Sequence, residues 1–225
     1  MRRTFDARVA LAVVLGAACA RAPSAADPTH PALVVAAPDS FDVEMQTTKG
    51  KIVVRAVRHW SPHGVDRFHA LVRSGFFTDV AFHRTIRNFV AQFGIHGDTT
   101  ITKAWSSRTI PDDSVRMPNA RGTIAFARGG RNTRSTQLFF NLVDNTPRLD
   151  TLNGFGFPPI GRIIEGLAVM DSLNWEYSGT RGGRQFPGPS QDSIRRQGNA
   201  YLRRAFPRLD YIVGAHVTRR WRGRR

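Results

Sequence analysis

The chain has 225 residues, room for one domain with length to spare, and 41% of them are hydrophobic, an ordinary fraction for a protein that buries a core. Its one cysteine, Cys19, excludes a disulfide framework and a thiol nucleophile in the body, and leaves any zinc site to histidines and carboxylates. The formal charge of +16 is nearly all arginine, since Lys49, Lys51 and Lys103 are the only lysines; it favours phospholipid headgroups, envelope polyanions or nucleic acid without choosing among them.

Met1-Arg2-Arg3 and Arg8 precede an apolar run from Val9 to Ala18, and Ala18-Cys19-Ala20 offers a small-x-small cleavage site. This pattern predicts a secretory signal peptide over residues 1–20, too short to span a membrane. Three arginines and one aspartate leave with it, so the net charge becomes +14 and the basic character belongs to the body. Gly16-Ala17-Ala18-Cys19 also approaches a lipoprotein box, with Leu15 one place too far back, so lipidation at Cys19 is the alternative. Residues 21–40, rich in Ala, Pro, Ser and Asp, read as a flexible tether.

Structure is expected from Phe41, where Phe41-Asp42-Val43-Glu44-Met45 alternates, turns over Thr47 to Gly50 and resumes at Ile52-Val53-Val54: a β-hairpin. Ser61-Pro62 offers an N-cap and a first-turn proline. Val65, Phe68, Leu71 and Val72 then share one helical face, and Gly75 ends it. Phe76 to Gly94 reads as strand, 95–121 as a long ordered loop, and Gly122–Ala127 and Thr136–Leu142 as strands flanking a Gly/Arg/Asn loop. A short strand near Ile160–Ile164 and a second helix over Leu167–Leu173 follow. Ser178 to Ala200 reads as an irregular insertion, Asp210 to Val217 as a final strand, and 219–225 as a basic tail.

Three stretches stand out: Phe82-His83-Arg84-Thr85-Ile86-Arg87-Asn88-Phe89-Val90-Ala91-Gln92-Phe93-Gly94; Gly122 to Arg128 leading to Thr136-Gln137-Leu138-Phe139-Phe140-Asn141; and Arg148-Leu149-Asp150, closed by Gly161. In order and spacing they resemble the cyclophilin family of peptidyl-prolyl cis/trans isomerases, over about residues 41–218. Many short strands and Gly-rich turns already suggest a closed antiparallel barrel. The resemblance implies a mainly β fold with eight strands and two capping α-helices.

Isomerising a peptide bond needs no nucleophile, base or cofactor. Its barrier of about 18–20 kcal/mol is the amide resonance lost in the twisted state, and exchange at Xaa-Pro bonds is slow. A catalyst holds the proline ring and stabilises the twisted amide above either planar form. An arginine suits this, being always charged with rigid donors. The motif position assigns the task to Arg84, with Gln92 beside it. The family pattern puts the apolar proline pocket at Phe89, Val90, Phe139, Leu149 and Phe157. It puts a substrate-pairing strand edge at Ala127 and Arg128, and Gln137 where it orders Arg84 or the substrate backbone. No metal and no cofactor are implied; proline-containing polypeptides are the implied partners of a monomer.

Some positions depart from the family. Arg148 stands where many eukaryotic members carry the tryptophan associated with cyclosporin binding, Arg128 where they carry asparagine, Phe157 histidine and Val90 methionine. His59, His63 and His69 have only partly helical spacing, with no HExxH, and read as solvated helix-end residues. His83 alternates with Arg84 and should face away from it. Gly129-Gly130-Arg131-Asn132 lacks the Lys-Ser end of a P-loop and reads as a barrel loop.

Two rival functions are a non-catalytic peptide-binding chaperone module of the envelope and a nucleic-acid binder using Arg195-Arg196, Arg203-Arg204 and Arg219-Arg220. The arginines lack interleaved aromatics for base stacking, which disfavours the second. An exported isomerase that assists folding, with weak contact to acidic envelope surfaces, is the expectation.

Overall fold

The computed structural model describes residues 22–181 and 184–222. The expected leader over 1–20, with Cys19, and the last three residues of the tail lie outside the described residues. The hairpin forms as its alternation requires. In β1 (Ser40–Thr47), Phe41, Val43 and Met45 are fully buried, and they meet Ala56, Val54 and Ile52 of β2 (Gly50–Val57) across the ladder. Helix α1 (Pro62–Arg73) sets Val65, Phe68 and Leu71 into the same core, where Phe68 contacts Phe41 and Phe77. It stops at Gly75, whose φ of +75° suits a residue without a Cβ. Its cap differs from expectation. Ser61 makes no capping bond; Asp113 accepts the N–H groups of His63 and Gly64 instead, and Ser61 Oγ donates to the same carboxylate.

The stretch from Phe76 to Gly94 is broken into β3 (Val80–Ala81), β4 (Arg84–Ile86) and β5 (Val90–Phe93). Asp79 and Asn88 take positive φ at the breaks, a conformation their short polar side chains tolerate. Helix α2 (Thr99–Ser106), capped by Asp98, lies inside the segment expected to be a loop. Strands β6 (Thr123–Phe126) and β7 (Leu138–Asn141) follow, then one helical turn, α3 (Thr146–Leu149), and β8 (Pro159–Glu165). The expected second helix is a 3₁₀ segment, Leu167–Ser172, which buries Met170.

The expected irregular insertion is structured. It holds a small hairpin, β9 (Gly179–Arg181) with β10 (Arg184–Phe186), and a helical segment, α4 (Gln191–Ala205), kinked at Gly198. The final strand β11 (Tyr211–Trp221) runs past Val217 and takes in the start of the basic tail, pairing Arg219 with Asp42 and Trp221 with Ser40.

Among the described residues nine strands make one antiparallel sheet, ordered β3-β11-β1-β2-β8-β6-β7-β5-β4. Its two end strands, β3 and β4, are separated in the chain only by Phe82 and His83, so the sheet must curl round on itself. The result is a mainly β barrel-like fold, with nine strands in the sheet in place of eight and four α-helical segments, α1 to α4, in place of two. Phe93 and Phe140 stack at 5.3 Å inside it, beside Phe82, Phe126 and Ile124.

The expected tether is also corrected, from Ala22 onward. Ala25 and Leu33 are buried, Trp105 Nε1 donates to the Ala25 carbonyl, and Arg73 donates to that of Ala32. Apolar residues at 25 and 33 find partners on α1 and α2, which composition alone does not reveal.

Candidate active site

Register alone gathers the site. Arg84 lies opposite Gln92, Gln92 opposite Phe139, and Phe139 opposite Ala125, so one row of side chains crosses β4, β5, β7 and β6 on one face. Period two puts Val90 on that face and sends Ala91, Phe93, Leu138 and Phe140 into the core. Leu149 from α3, Phe157 from the loop before β8, and Phe89 from the turn before β5 close the edges. Arg84, Phe89, Val90, Gln92, Ala127, Arg128, Phe139, Leu149, Leu152 and Phe157 line a cavity of about 230 Å³. All but Leu152 are residues expected from sequence.

The remaining expected residue, Gln137, lines an adjoining groove of about 500 Å³ that shares Gln92, Ala127 and Arg128 with the first cavity. The groove is walled by Ser106 and Thr109 on one side and by Gln191 and Arg195 of α4 on the other. Leu152, Gln191 and Arg195 are lining residues that the sequence reading missed. Leu152 sits three residues beyond Leu149, a helical spacing hidden by the brevity of α3. Ile194 and Leu202 are the buried residues that mark α4, but Gly198 stands between them and arginines fill many of the other positions.

The apolar side of the cavity is firm. Phe139 and Phe157 meet edge to face at 5.6 Å, and Val90, Ala125, Phe139 and Leu149 are all buried. Arg148 lies over the Phe89 ring at 4.4 Å and forms a rim. A buried amide network holds the frame. Asn119 donates to Asp150 and to the Phe157 carbonyl, while Asn145 donates to the Phe89 carbonyl and to Asn141. Gly156, at φ +52°, is packed so closely that a Cβ would fall 1.8 Å from the Asp150 carbonyl oxygen. That fixes the chain entering Phe157.

The polar side is an ordered relay. Arg84 donates to Gln92 Oε1 at 3.1 Å, and Gln92 Nε2 donates to Gln137 Oε1 at 2.9 Å. Arg84 is half-buried, its pKa drawn down by desolvation, and no carboxylate pairs with it among the described residues. Its charge is therefore left for a ligand. Arg128 differs. Its side chain is 2% exposed, lies 3.1 Å from Asp112 and covers the Phe155 ring at 3.9 Å, so it is a wall rather than a free donor. Burial lowers its pKa against the pull of Asp112.

His83 is buried, with its pKa pushed down to about 3 by desolvation and then by the Arg84 charge, so its ring is neutral at pH 7. His69 is not the solvated helix-end residue expected: it is buried in α1 and packs on the Phe41 ring at 4.9 Å, and among the described residues no three His, Cys, Asp or Glu side chains form a group able to hold a metal ion.

A family model for "Cyclophilin type peptidyl-prolyl cis-trans isomerase/CLD" matches residues 42–195, more than half the chain. The chain belongs to the cyclophilin-type isomerase family. It is 29% identical over 156 residues to "Peptidyl-prolyl cis-trans isomerase B" of Escherichia coli, covering 68% of this chain and 94% of that one. It is 31% identical over 147 residues to an isomerase of Streptomyces antibioticus, covering 64% and 89%. A crystal structure of a Cryptosporidium parvum cyclophilin-type isomerase superposes with a TM-score of 0.55 at 18% identity, over 80% of this chain and 98% of that one. The same protein has been solved in the presence of the dipeptide Ala-Pro, with a TM-score of 0.53 over 79% and 99%. At that identity the likeness speaks to the fold.

Proposed function

We propose that this cyclophilin-type isomerase twists Xaa-Pro bonds by holding the proline ring against Phe89, Val90, Phe139, Leu149 and Phe157 while Arg84 stabilises the rotated amide. The observation that carries the reading is an uncompensated guanidinium at the lip of a small apolar cavity, ordered by Gln92. At about 230 Å³ the cavity lies below the ~300–1,000 Å³ range of drug-sized pockets, a volume suited to one ring rather than a larger ligand.

Proline offers no N–H, so an apolar wall costs it nothing in lost hydrogen bonds. The carbonyl before proline loses resonance as the bond rotates, and its hydrogen-bonding demand changes with it. A fixed donor charge placed for the rotated geometry therefore binds the twisted state more strongly than either planar state. One Arg84 donor is occupied by Gln92, which leaves the others for that carbonyl and for the pyramidalising prolyl nitrogen. No proton moves and no covalent bond forms. The expected substrate-pairing edge is corrected: Ala127 lies just past β6, an interior strand between β8 and β7, and its N–H is donated to the Gln137 carbonyl at 2.9 Å, so Ala127 and Arg128 serve as cavity wall.

The test is the cis/trans exchange rate of a short Xaa-Pro peptide with the purified protein and with Arg84→Ala. Loss of roughly 10²–10³ in kcat is the scale for removing one preorganised electrostatic donor. Equal, slow exchange with retained peptide binding would instead support the chaperone reading.

We also assign the chain an exported setting, supported by the leader pattern over residues 1–20, and folding clients there. No helix among the described residues is long and apolar enough to cross a membrane. Arg219, Arg220 and Arg222 at the end of the described chain are exposed and suit weak, salt-sensitive contact with acidic envelope surfaces. Unchanged binding to anionic vesicles after their exchange for glutamine would remove that assignment.

A further inference from the structure

The polar relay does not stop at Gln137. Gln137 Nε2 donates to Gln191 Oε1 at 3.1 Å, and Arg195 Nη2 donates to the same oxygen at 3.1 Å. A hydrogen-bonded line thus runs from Arg84 through three glutamines to the first turn of α4. The geometry points to Gln191 as a positioning residue for Arg84, with Arg195 setting its polarity. This rests on the isomerase reading above.

An isolated glutamine amide can rotate by half a turn and exchange its oxygen for its nitrogen at little steric cost. A guanidinium can only donate. Arg195 therefore draws the Gln191 oxygen to its own side of the groove, where that oxygen also meets Gln137. Gln137 must answer with its NH₂ and so turns its oxygen to Gln92. Gln92 then turns its NH₂ to Gln137 and its oxygen to Arg84. Each amide has one orientation consistent with its neighbours, and the last one gives Arg84 an acceptor. Arg84 favours the same order from the near end, since it too can only donate; without Gln191 the far end is open and that single contact is all that holds Gln92 and Gln137 in line. With it, the Gln92 oxygen faces Arg84 before substrate arrives, which is the preorganisation a charge-stabilising site needs.

This role demands that α4 be fixed, and it is. Ile194 and Leu202 are 1% exposed and pack with Ala81, Ile95 and Leu209. Asn199 donates its backbone N–H to the Gly97 carbonyl at 2.9 Å and its amide to Asp79. Gly198, at φ +58°, approaches the barrel so closely that a Cβ would lie 2.0 Å from Gly97 O. Ser190 caps the helix by accepting from Ser193 N–H, and Arg195 is braced by Asp192 at 2.9 Å. Gln191 is thus delivered to the groove by a helix bolted to the sheet rather than by a loop. Contact with the proline cavity itself is absent: neither Gln191 nor Arg195 lines it.

The experiment compares the purified wild type with Gln191→Ala, Gln191→Glu, Gln191→Lys and Arg84→Ala. It reads kcat and KM for peptide exchange, and the NMR signals of the Gln92 and Gln137 side-chain amides and of Arg84 Nε. Gln191→Ala is expected to lower kcat roughly fivefold, the factor of about one net hydrogen bond, with KM within about twofold. The Gln92, Gln137 and Arg84 signals should move with it. Gln191→Glu, whose carboxylate accepts both donors, should recover most of the loss; Gln191→Lys, which only donates, should not. Should Gln191→Ala fail to fold, the glutamate and lysine variants carry the same contrast. Wild-type activity lost in Arg84→Ala but unchanged in Gln191→Ala and Gln191→Lys would overturn the relay alone. Equal losses in the glutamate and lysine variants would overturn it too. If the wild type does not isomerise, the isomerase reading fails, and the side-chain signals still decide whether Gln191 orders Arg84.

Discussion

Arg134→Met should be the most damaging single change outside the cavity. Arg134 is fully buried and donates to Asp113 at 2.9 Å, to Ser61 Oγ and to the Pro111 carbonyl, with Asp112 3.5 Å from its Nε. Methionine keeps much of the apolar stem but takes the charge partner from Asp113, which is 6% exposed, and leaves Asp112 with Arg128 alone. Removing one partner of a buried pair costs about 3–5 kcal/mol, a large part of an ordinary domain's stability. Burial alone would raise the Asp113 pKa; donors from Ser61, Gly64 and Arg134 outweigh it and hold the carboxyl below its usual range. A depressed carboxylate contributes stability that is full above its unfolded pKa and lost as pH falls through the folded one. Without Arg134 much of that depression is lost, so the deficit of the variant against wild type should be largest at pH 7 and shrink as pH falls toward 4 and Asp113 takes up its proton. Urea unfolding of Arg134→Met, Asp113→Asn and the double variant, at pH 7 and at pH 4, measures both effects. The double variant should cost clearly less than the two single losses combined, because it leaves no uncompensated charge at Asp113. A loss under about 1 kcal/mol for Arg134→Met, or strict additivity, would show that the charges are solvated and the reasoning wrong.

Two further changes have defined outcomes. Phe139→Ala removes a ring that is 5% exposed and walls both Phe157 and the cavity; about 3–5 kcal/mol of stability should go, with a rise in KM for Xaa-Pro peptides larger than any fall in kcat. Calorimetry and exchange kinetics on one preparation would check both parts. Acid should also loosen the fold through histidine. His83 and His69 are held neutral, pushed down by burial to about 3 and about 4. The unfolded chain then binds more protons, so stability is full above pH ~6.5 and falls below it, by roughly 2 kcal/mol per histidine at pH 5. His83→Phe and His69→Phe should each flatten that slope between pH 7 and 5, as read by urea midpoints.

What the sequence disclosed, and what it hid, follows from the range of each interaction. Strand alternation and the α1 stripe are local, so Phe41, Val43, Met45, Val65, Phe68 and Leu71 could be placed from spacing. Arg84, Gln92, Phe139 and Val90 sit at fixed intervals that register turns into one row, so the motif was nearly the site. Non-local partners were hidden. Nothing near Ala25 or Leu33 announces Trp105 and Arg73, and nothing at Ser61 says that Asp113, 52 residues on, takes over the cap. The α4 segment was hidden for a different reason: its apolar residues Ile194 and Leu202 are few, and Gly198 breaks the helical signal at the point where close packing requires it. Gln191 is hidden with it, because the composition of that stretch reads as irregular rather than helical.

Long-range contacts also change the meaning of the charge. A net +16 suggests a surface made to attract polyanions, yet many of the arginines that produce it face inward or are already engaged. Arg134 and Arg128 are buried and share Asp112; Arg67 donates to the Arg108 and Ser135 carbonyls, lies over the Trp105 ring, and has its pKa drawn down to about 10 by burial. Arg73, Arg116 and Arg121 each tie down a carbonyl far along the chain: Ala32, His59 and Leu142. A guanidinium has five donors in a rigid fork and a long apolar stem, so it can pin loops whose carbonyls have no strand partner. Lysine would reach as far with fewer fixed directions. In a chain with three lysines, arginine serves as the strut of the long connections around the cavity, whereas Arg84 at the cavity's lip donates to the Gln92 amide. Part of the net charge therefore belongs to arginines that brace the fold, so the total of +16 overstates what the surface offers to a polyanion.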